Sequence, residues 1–477
     1  MPAPVILWFR RDLRLHDNPA LIAAAADGRP VLPVFILDDE APGMRRLGGA
    51  SRWWLHHSLT ALARDLRSRQ APLVLRRGTA ETVLADLVRK TGADAIFANS
   101  RPEPDAMARD RTLIPALRGR GVTLTLTPDS LLFSPRRLVT GSGAPFKVFT
   151  PFWRAAQALG DPPAPQGVPA FQPAPPCPGD DLDGWGLTPS APDWAGGLRD
   201  RWTPGEAAAR DRLADFADRA LGGYSLRRDL PAADATSRLS PHLTWGEISP
   251  RQVWHSIRTR EADQPAEAAK FLSELGWREF SYHLLLASPD LATRNWRDDF
   301  DRFPWAGDEA GFRAWTRGRT GYPLVDAGMR ELRATGYMHN RVRMIAGSFL
   351  VKHLLTDWRR GEAWFWDNLV DADHANNAAS WQWVAGSGAD AAPYFRIFNP
   401  VLQGERYDPD GTYVRRWVPE VGDLPATAIH KPWTRVTRPR DYPAPIVDHQ
   451  AARARALGAF QSLKVSSADQ AAAADDQ

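Results

Sequence analysis

The chain has 477 residues, a formal net charge of +4 at pH 7 and a hydrophobic fraction of 43%. This length exceeds the usual size of one domain, so we expect at least two hydrophobic cores. No run of eighteen or more apolar residues occurs and the N-terminus lacks a targeting pattern, which predicts a soluble cytoplasmic protein. The single cysteine, Cys177, excludes an internal disulfide framework and a cysteine-based metal cage.

The first part of the chain alternates short β-rich runs with stretches of helical period. Strand-like runs begin at Val5, Val31, Leu73, Ala95 and Val122, and helical stretches lie at 51–69, 79–90 and 105–117. This alternation predicts a Rossmann-like α/β domain over residues 1–130, with a parallel sheet covered by helices on both faces. The GxGxxG and P-loop fingerprints are absent.

The composition changes twice after this domain. Residues from 161 to about 200 are rich in proline, glycine, alanine and aspartate, and we assign 131–200 to an interdomain linker. From 201 to 465 nearly every periodic stretch is helical, which predicts an all-α domain. The last residues, 466–477, read SSADQAAAADDQ and are predicted to be disordered.

One helical segment of the second domain, FLSELGWREF, has a polar and aromatic face. Trp277 and Arg278 follow Glu274 at spacings of three and four, so the three side chains share one helix face. Two interpretations are equally open from this segment alone. The face is either functional, or it is a surface ion pair beside a half-buried tryptophan.

A second segment, HNRVRM, places Asn340 and Met344 four residues apart on a predicted helix that also carries Arg341 and Arg343. An amide, a thioether and two arginines at a helix start are suited to holding a base and a phosphate. Met344 taken by itself is typical of a core residue.

A third segment, DADHANNAASWQW, concentrates polar residues before two tryptophans. Asp371, Asp373 and Asn377 precede Trp381 and Trp383. The segment lacks the spacing and the terminal glutamate of a calcium loop. Hydrogen bonding to a polar heterocycle therefore explains it better than a metal site, and we predict no metal.

A fourth segment, ATSRLSPHL, places Thr236, Ser237, Arg238 and Ser240 ahead of a helical stretch. Hydroxyl side chains at a helix start leave free backbone N–H groups that bind phosphate. An ordinary N-cap is the alternative, and for this segment alone it is the more common case.

Together these segments resemble the DNA photolyase and cryptochrome family over nearly the whole chain, and within it the class I cyclobutane pyrimidine dimer photolyases. The resemblance runs from WFRRDLRLHDNPAL through TSRLSP, WREF, MHNRVRM and DADHANNAASWQW to PYFRIFNP, in this order. It implies an enzyme that repairs pyrimidine dimers in DNA in a light-driven reaction. We also expect a monomer that does not associate with membranes.

The resemblance implies that the helical domain binds FAD in a bent form, which is reduced and anionic when active. Asp371, paired with Arg343, would lie beside the cofactor, and Asp373 would meet its ribityl chain or ring edge. Asn377 would face flavin N5, where asparagine supports the reduced anion. The other implied FAD contacts are Tyr224, Thr236, Ser237, Arg238, Leu239 and Ser240 at the phosphates, Phe271 near the adenine, and Arg278.

The resemblance also implies a substrate face that takes a flipped-out dimer. Its indole pair would be Trp277 and Trp383, with stacking worth about 1 to 3 kcal/mol per base. Glu274 and Asn340 would hydrogen-bond the bases and, with Asn377, form the implied catalytic set. The remaining implied contacts are Met344 beside the dimer, and Arg228 and Arg341 at the DNA backbone.

Three further tryptophans, Trp305, Trp358 and Trp381, match the family's electron-transfer chain from the surface to an oxidised flavin. Pure packing remains an alternative for them.

The antenna chromophore is also open: folate-using relatives show an asparagine and a glutamate before ARD, whereas PEPDAMARD has Asp105 and Ala106. A deazaflavin, methenyltetrahydrofolate or no antenna all remain possible expectations.

Three other functions compete with dimer repair. A cryptochrome photoreceptor often carries a long C-terminal extension, whereas only a short tail follows the last predicted helix. A (6-4) photolyase relies on two histidines near the substrate, and His339 has no matching partner in the sequence. A structural flavin-binding protein would leave the substrate-facing residues without a purpose.

Overall fold

The computed structural model describes residues 2–38, 41–128, 131–391, 395–436 and 439–475, with residues 464–475 described by their backbone alone. Within these ranges an α/β part is followed by a helical part. The predicted fold class is therefore confirmed. None of the helices in the described part of the chain combines the length and apolarity needed to span a bilayer.

Within the described residues, five parallel strands form one sheet in the order β3-β2-β1-β4-β5. The strands β1 and β2 are buried along their whole length, as expected for strands covered on both faces. The order reverses between β1 and β4, and such a switch point opens a crevice at the carboxyl ends of the strands. The strands are β1 (Val5–Phe9), β2 (Val31–Leu37), β3 (Val74–Arg77), β4 (Ala95–Asn99) and β5 (Thr123–Thr127).

The predicted helices of the α/β part are present, and one more precedes them. The additional helix α1 has the sequence PALIAAAA. This sequence is apolar throughout, so it lacks the periodic polar positions by which an amphipathic helix is recognised. Its start is nonetheless marked, because the Asn18 side chain accepts a hydrogen bond from Leu21 N and Pro19 occupies the first turn. The four helices are α1 (Pro19–Ala26), α2 (Gly49–Arg67), α3 (Ala80–Thr91) and α4 (Pro104–Arg118).

The predicted linker contains regular structure that the sequence did not suggest. Helix α5 (Phe149–Ala158) buries Phe149, Phe152 and Ala156, whose spacing gives it an apolar face. This face packs into the core of the helical part, so these residues belong to that domain. A short helix, α6 (Gly196–Arg201), ends the segment.

The helical part is organised around α11 and α16, which pack against each other. Helix α11 also contacts α5, α8 and α10, and α16 also contacts α14 and α15. The helices are α7 (Glu206–Asp215), α8 (Tyr224–Arg227), α9 (Ser240–Thr244), α10 (Pro250–Arg258), α11 (Pro265–Ala287), α12 (Glu309–Thr316), α13 (Pro323–Thr335), α14 (Asn340–Ser348), α15 (Trp358–Asn368), α16 (His374–Ala385), α17 (Pro400–Tyr407), α18 (Thr412–Trp417), α19 (Ala426–Ile429) and α20 (His449–Asp475).

The end of the chain differs from the sequence-based expectation. The backbone of residues 466–475 continues helix α20, where a disordered tail was predicted. The alanine-rich composition of this stretch accounts for the difference, because alanine has the highest helix propensity. Residues 476 and 477 of the predicted tail lie outside the described residues.

Candidate functional site

Helix α16 begins at an aspartate that was expected to contact a ligand. Asp373 Oδ1 accepts hydrogen bonds from the backbone N–H groups of Ala375 at 3.0 Å and Asn376 at 2.7 Å. The Tyr282 hydroxyl donates to Asp373 Oδ2. The carboxylate therefore caps the helix and holds Tyr282, which is a structural role that the sequence pattern did not separate from ligand binding.

The expected pair of Asp371 and Arg343 is present. Arg343 Nη2 donates to both carboxylate oxygens of Asp371, at 3.1 and 2.8 Å, and Ser240 Oγ donates to Oδ2 at 2.6 Å. Burial acts to lower the pKa of Arg343, but the negative charge of Asp371 raises it above its usual value. This partly buried cluster ties the Ser240 segment to α14 and keeps a cation between them.

The predicted phosphate-binding run starts in a turn rather than at a helix. Arg238 has a left-handed backbone, with φ of 52°, and its guanidinium pairs with Asp234 at 2.9 Å. The helix begins only at Ser240 and has five residues. Thr236 and Ser237 are half-buried in the turn. Their hydroxyl groups and Arg238, rather than a helix terminus, are therefore the candidate anion ligands.

Three aromatic rings lie in the same hydrophobic core as Leu239 of this turn. The ring of Phe271 lies 5.5 Å from that of Tyr224 and 4.6 Å from that of Phe216, measured between centroids. All three side chains are buried. Phe216 was missed by sequence reasoning, because a phenylalanine in a helical stretch is indistinguishable from an ordinary core residue.

Asn377 has a defined amide orientation. Its Nδ2 donates to the backbone oxygen of Glu362 at 3.1 Å and to Glu362 Oε1 at 2.8 Å. Nothing in the described part of the chain donates to Asn377 Oδ1, although the residue is buried. The amide thus presents an accessible acceptor atom to a ligand. Glu362 itself carried no sequence signal.

Glu274 on α11 lies in an ion-pair cluster. Its Oε1 accepts from Arg228 and from Lys270 Nζ, the latter at 2.9 Å. Glu274 Oε2 has no recorded partner among the described residues. Glu274 is therefore paired with Arg228 and Lys270 rather than with Arg278, which pairs with Glu279. One carboxylate oxygen of Glu274 remains available.

The next residue after Arg228 extends this cluster to α14. Asp229 Oδ2 accepts from Arg341 Nη2 at 2.8 Å, and Arg341 Nη1 lies 3.9 Å from Met344 Sδ. The Arg341 guanidinium also lies over the Tyr407 ring, 4.5 Å from its centroid. Asn340 is exposed at the first turn of the same helix. Asp229 and Tyr407 had no sequence signal.

The two predicted substrate tryptophans are connected through a loop and α5. Trp277 stacks on Phe149, and the Phe149 N–H donates to Asp390 Oδ2 at 3.3 Å. The carbonyl oxygen of Asp390 accepts from Trp383 Nε1 at 3.1 Å. Both indoles are half-buried, so each keeps an accessible surface. The motif residues 392–394 beyond this loop lie outside the described residues.

The three tryptophans of the predicted electron-transfer chain share one region. Trp358 and Trp381 belong to the same buried cluster, and Trp305 packs against it. Gly361 allows this packing, because a Cβ there would lie 2.2 Å from the Trp381 ring. Trp358 Nε1 donates to Asn295 Oδ1 at 2.8 Å.

These features fit a flavin dinucleotide. Hydroxyl groups and arginines suit phosphates, a group of aromatic rings suits adenine, and an unpartnered amide oxygen suits a ring N–H. Among the described residues no cluster of His, Cys, Asp and Glu is arranged to hold a metal ion. Fold and site together define a flavoprotein in which an α/β domain precedes a helical cofactor-binding domain.

Comparison with known proteins identifies the family. Residues 5–171 match DNA photolyase, and residues 271–462 match the FAD binding domain of DNA photolyase. A deoxyribodipyrimidine photo-lyase of Agrobacterium fabrum is 53% identical over 97% of this chain and 98% of its own length. Cryptochrome-1 of Arabidopsis thaliana is 38% identical over 95% of this chain and 70% of its own length. The chain belongs to the DNA photolyase family.

A solved structure agrees with this assignment. The crystal structure of a bacterial class III photolyase from Agrobacterium tumefaciens superposes with a TM-score of 0.93, at 53% identity. The superposition covers 97% of this chain and 98% of that chain. That relative is of class III, whereas the sequence motifs suggested class I.

Proposed function

We propose that this chain repairs cyclobutane pyrimidine dimers in DNA under blue light, as a class III enzyme. The similarity to a class III photolyase supports the subclass. The observation that carries the repair function is the link between α11 and α14, in which Arg228 pairs with Glu274 and the adjacent Asp229 pairs with Arg341. This link assembles one surface from residues that are far apart in the chain.

The half-buried tryptophans Trp277 and Trp383 supply this surface with two faces on which bases stack. Stacking of this kind contributes about 1 to 3 kcal/mol per base, and a damaged step costs less to unstack. Glu274 Oε2 and the amide of Asn340 hydrogen-bond the exposed base edges, while Met344 fills the space beside them. Arg228 and Arg341 orient the DNA backbone, and their carboxylate partners hold both guanidinium groups in place.

The cofactor proposal assigns a part to each element around α16. Bound in its reduced anionic form, FAD supplies a light-excited electron donor for the lesion. Arg343, neutralised by Asp371, lies beside the cofactor, and Asn377 Oδ1 accepts a hydrogen bond from N5–H. The proposed contacts at the FAD phosphates are Tyr224, Thr236, Ser237, Arg238, Leu239 and Ser240. Phe271 lies near the adenine in this proposal, and Arg278 and Asp373 lie along the remainder of the FAD molecule.

We further propose that Trp381, Trp358 and Trp305 carry electrons from the surface toward the cofactor site. Trp381 and Trp358 are buried and Trp305 is half-buried, so the series leads from the interior to solvent. This path activates oxidised protein and is not part of each repair turnover.

Two cavities that the α/β part helps to line bear on an antenna chromophore. The cavity at the carboxyl ends of β1 and β2 has a volume of about 50 Å³, and its lining includes Met44, Arg45 and Arg109. Ligand pockets usually measure about 300 to 1,000 Å³. This cavity is therefore too small for a deazaflavin or a folate.

The second cavity, of about 890 Å³, lies between α4 and the segment that follows β5. Its lining includes Arg111, Arg136 and Arg137 and the apolar residues Ile114 and Leu126. Arginines bind carboxylates. A folate carries carboxylates, whereas a deazaflavin ring system need not carry any. We propose that an antenna occupies this cavity and that methenyltetrahydrofolate suits it better than a deazaflavin.

The competing functions make different use of the same residues. His339, the histidine expected near the substrate in a (6-4) enzyme, accepts a hydrogen bond from Arg341 N through Nδ1 and is buried. It therefore caps α14 and does not face a base. A cryptochrome shares the flavin site but has no need of the Glu274 and Asn340 surface.

The test compares dimer-containing and (6-4)-containing oligonucleotides, each mixed with purified, fully reduced protein under blue light. We expect flavin absorption bands, rapid loss of dimers only in the light, and no change in (6-4) lesions. Protein that retains no flavin, or that leaves dimers intact, overturns the proposal. Light scattering of the same preparation tests the expected monomer.

A further inference from the structure

A short segment of the α/β domain lies directly on helix α15 of the helical domain. Trp366 Nε1 donates to the backbone oxygen of Arg46 at 2.8 Å, and Gly49 N donates to Asp367 Oδ1 at 2.9 Å. Gly48 makes this approach possible, because a Cβ there would lie 2.3 Å from the Trp366 backbone oxygen. At Gly48 the backbones of the two segments are therefore in direct contact.

Arg45 begins this segment and reaches further into the helical domain. Its Nη1 and Nη2 donate to Glu362 Oε1 at 2.8 Å and Oε2 at 2.7 Å, which is a two-pronged ion pair. The guanidinium also lies 3.7 Å from the ring centroid of Trp366, and the backbone N–H donates to Asp105 Oδ2 at 3.2 Å. The Glu362 side chain is only 4% exposed, so Arg45 is its charge partner in a nearly dry setting.

Glu362 determines which way the Asn377 amide points. The carboxylate Oε1 and the backbone oxygen of Glu362 accept both hydrogens of Asn377 Nδ2. Neither oxygen can donate while the carboxylate is ionised, so a flipped amide would place Oδ1 against two acceptors. Oδ1 is therefore held on the opposite side.

We propose that Arg45 is a positioning residue of the flavin site, which fixes the Glu362 carboxylate in place and thereby holds Asn377 Oδ1 toward the flavin N5 position. This inference rests on the proposed flavin site. Reduced flavin carries a hydrogen on N5 and oxidised flavin does not, so an acceptor fixed at that point stabilises the reduced form. Through Arg45, the α/β domain then shifts the redox potential of the cofactor without contacting it.

The test is the midpoint potential of the bound flavin in Arg45→Met, measured by spectroelectrochemical titration. We expect a more negative potential, with the ratio of reduced to oxidised flavin at a fixed solution potential falling about tenfold, the effect of one hydrogen bond of roughly 1.4 kcal/mol. Arg45→Lys keeps the charge but loses the two-pronged geometry, and it should give a smaller shift.

The matched control is Asp367→Ala, which removes the contact with Gly49 N in the same segment but does not touch Glu362. We expect its flavin potential to equal that of the unaltered protein. An unchanged potential in Arg45→Met, or equal shifts in Arg45→Met and Asp367→Ala, overturns the inference.

A second variant covers the case in which Arg45→Met does not fold because Glu362 is left buried without a partner. The double variant Arg45→Met/Glu362→Gln removes both charges, and its glutamine amide no longer dictates the Asn377 orientation. We expect the same negative shift, and an unchanged potential again overturns the inference. Unaltered protein that binds no flavin would refute the proposed function itself, which is a distinct result.

Discussion

Trp277 and Phe149 stack face to face, with ring centroids 3.8 Å apart and ring planes 8° apart. Phe149 starts α5, in the segment 131–200 that the sequence analysis assigned to a linker. Its backbone N–H also reaches Asp390, whose carbonyl oxygen holds the Trp383 indole. A single residue of α5 therefore supports both of the tryptophans that we assign to lesion binding.

Replacing Phe149 by leucine should weaken binding of dimer-containing DNA. Stacked aromatic pairs contribute about 0.5 to 1.5 kcal/mol beyond their buried area, so we expect a loss of roughly two- to tenfold in affinity. The measurement is the Kd for dimer-containing and undamaged oligonucleotides. Phe152→Leu is the control, because Phe152 lies on the same helix and contacts Phe280 and His283 instead of Trp277. Equal losses in both variants would contradict the assigned role.

Glu274→Gln should lower the quantum yield of dimer repair and leave the flavin content unchanged. The Glu274 carboxylate holds Arg228 and Lys270 by ion pairs and offers Oε2 to the lesion. The glutamine amide has a similar shape but carries no negative charge, so it cannot form these ion pairs. Glu267→Gln provides the control on the same helix, since Glu267 accepts from Ser225 N and Oγ. Full repair activity in Glu274→Gln would show that the glutamate serves only the surface ion pair.

Trp305→Phe should slow photoreduction of oxidised flavin and spare repair by chemically reduced protein. Trp305 packs at the outer side of the cluster that contains Trp358 and Trp381, so its loss interrupts the path near solvent. Transient absorption measures the first effect and dimer repair measures the second. Trp194→Phe, at a tryptophan that is 45% exposed and outside this cluster, should change neither. Equal damage to both activities of Trp305→Phe would mean that the chain is misassigned.

Acidification should destabilise the start of α14 through His339. Burial lowers the pKa of His339 to about 4. An unfolded histidine binds its proton near pH 6.5, so the stability that the neutral ring contributes is complete above that pH and is lost as pH falls toward 4. The loss is on the order of 3 kcal/mol for a shift of this size.

The measurement for His339 is the free energy of unfolding as a function of pH. His339→Asn keeps a side chain that caps helices and does not titrate, so its stability should fall less between pH 6.5 and pH 4. Identical pH profiles for the two proteins would rule out His339 as the titrating group.

Local patterns determined much of this protein. The apolar runs at Val5–Phe9 and Val31–Leu37 predicted buried parallel strands, and the sheet has them. The periods around Glu274 and Asn340 predicted the helices α11 and α14, because helical spacing depends only on near neighbours. Helix α16 was not predicted from the sequence. The order of the motifs identified the family, which the comparisons confirm.

Only the tertiary structure decided which side chains become partners. Arg45 and Glu362 are 317 residues apart, and nothing local to either residue indicates that they meet. The same holds for Phe149, whose apolar spacing is short and borders a proline-rich stretch. Asp373 shows the converse case, since an aspartate before a helix has the same sequence pattern whether it caps the backbone or binds a ligand. The physical reason is that chain packing brings together distant groups whose energies depend on burial, and burial is a property of the whole fold.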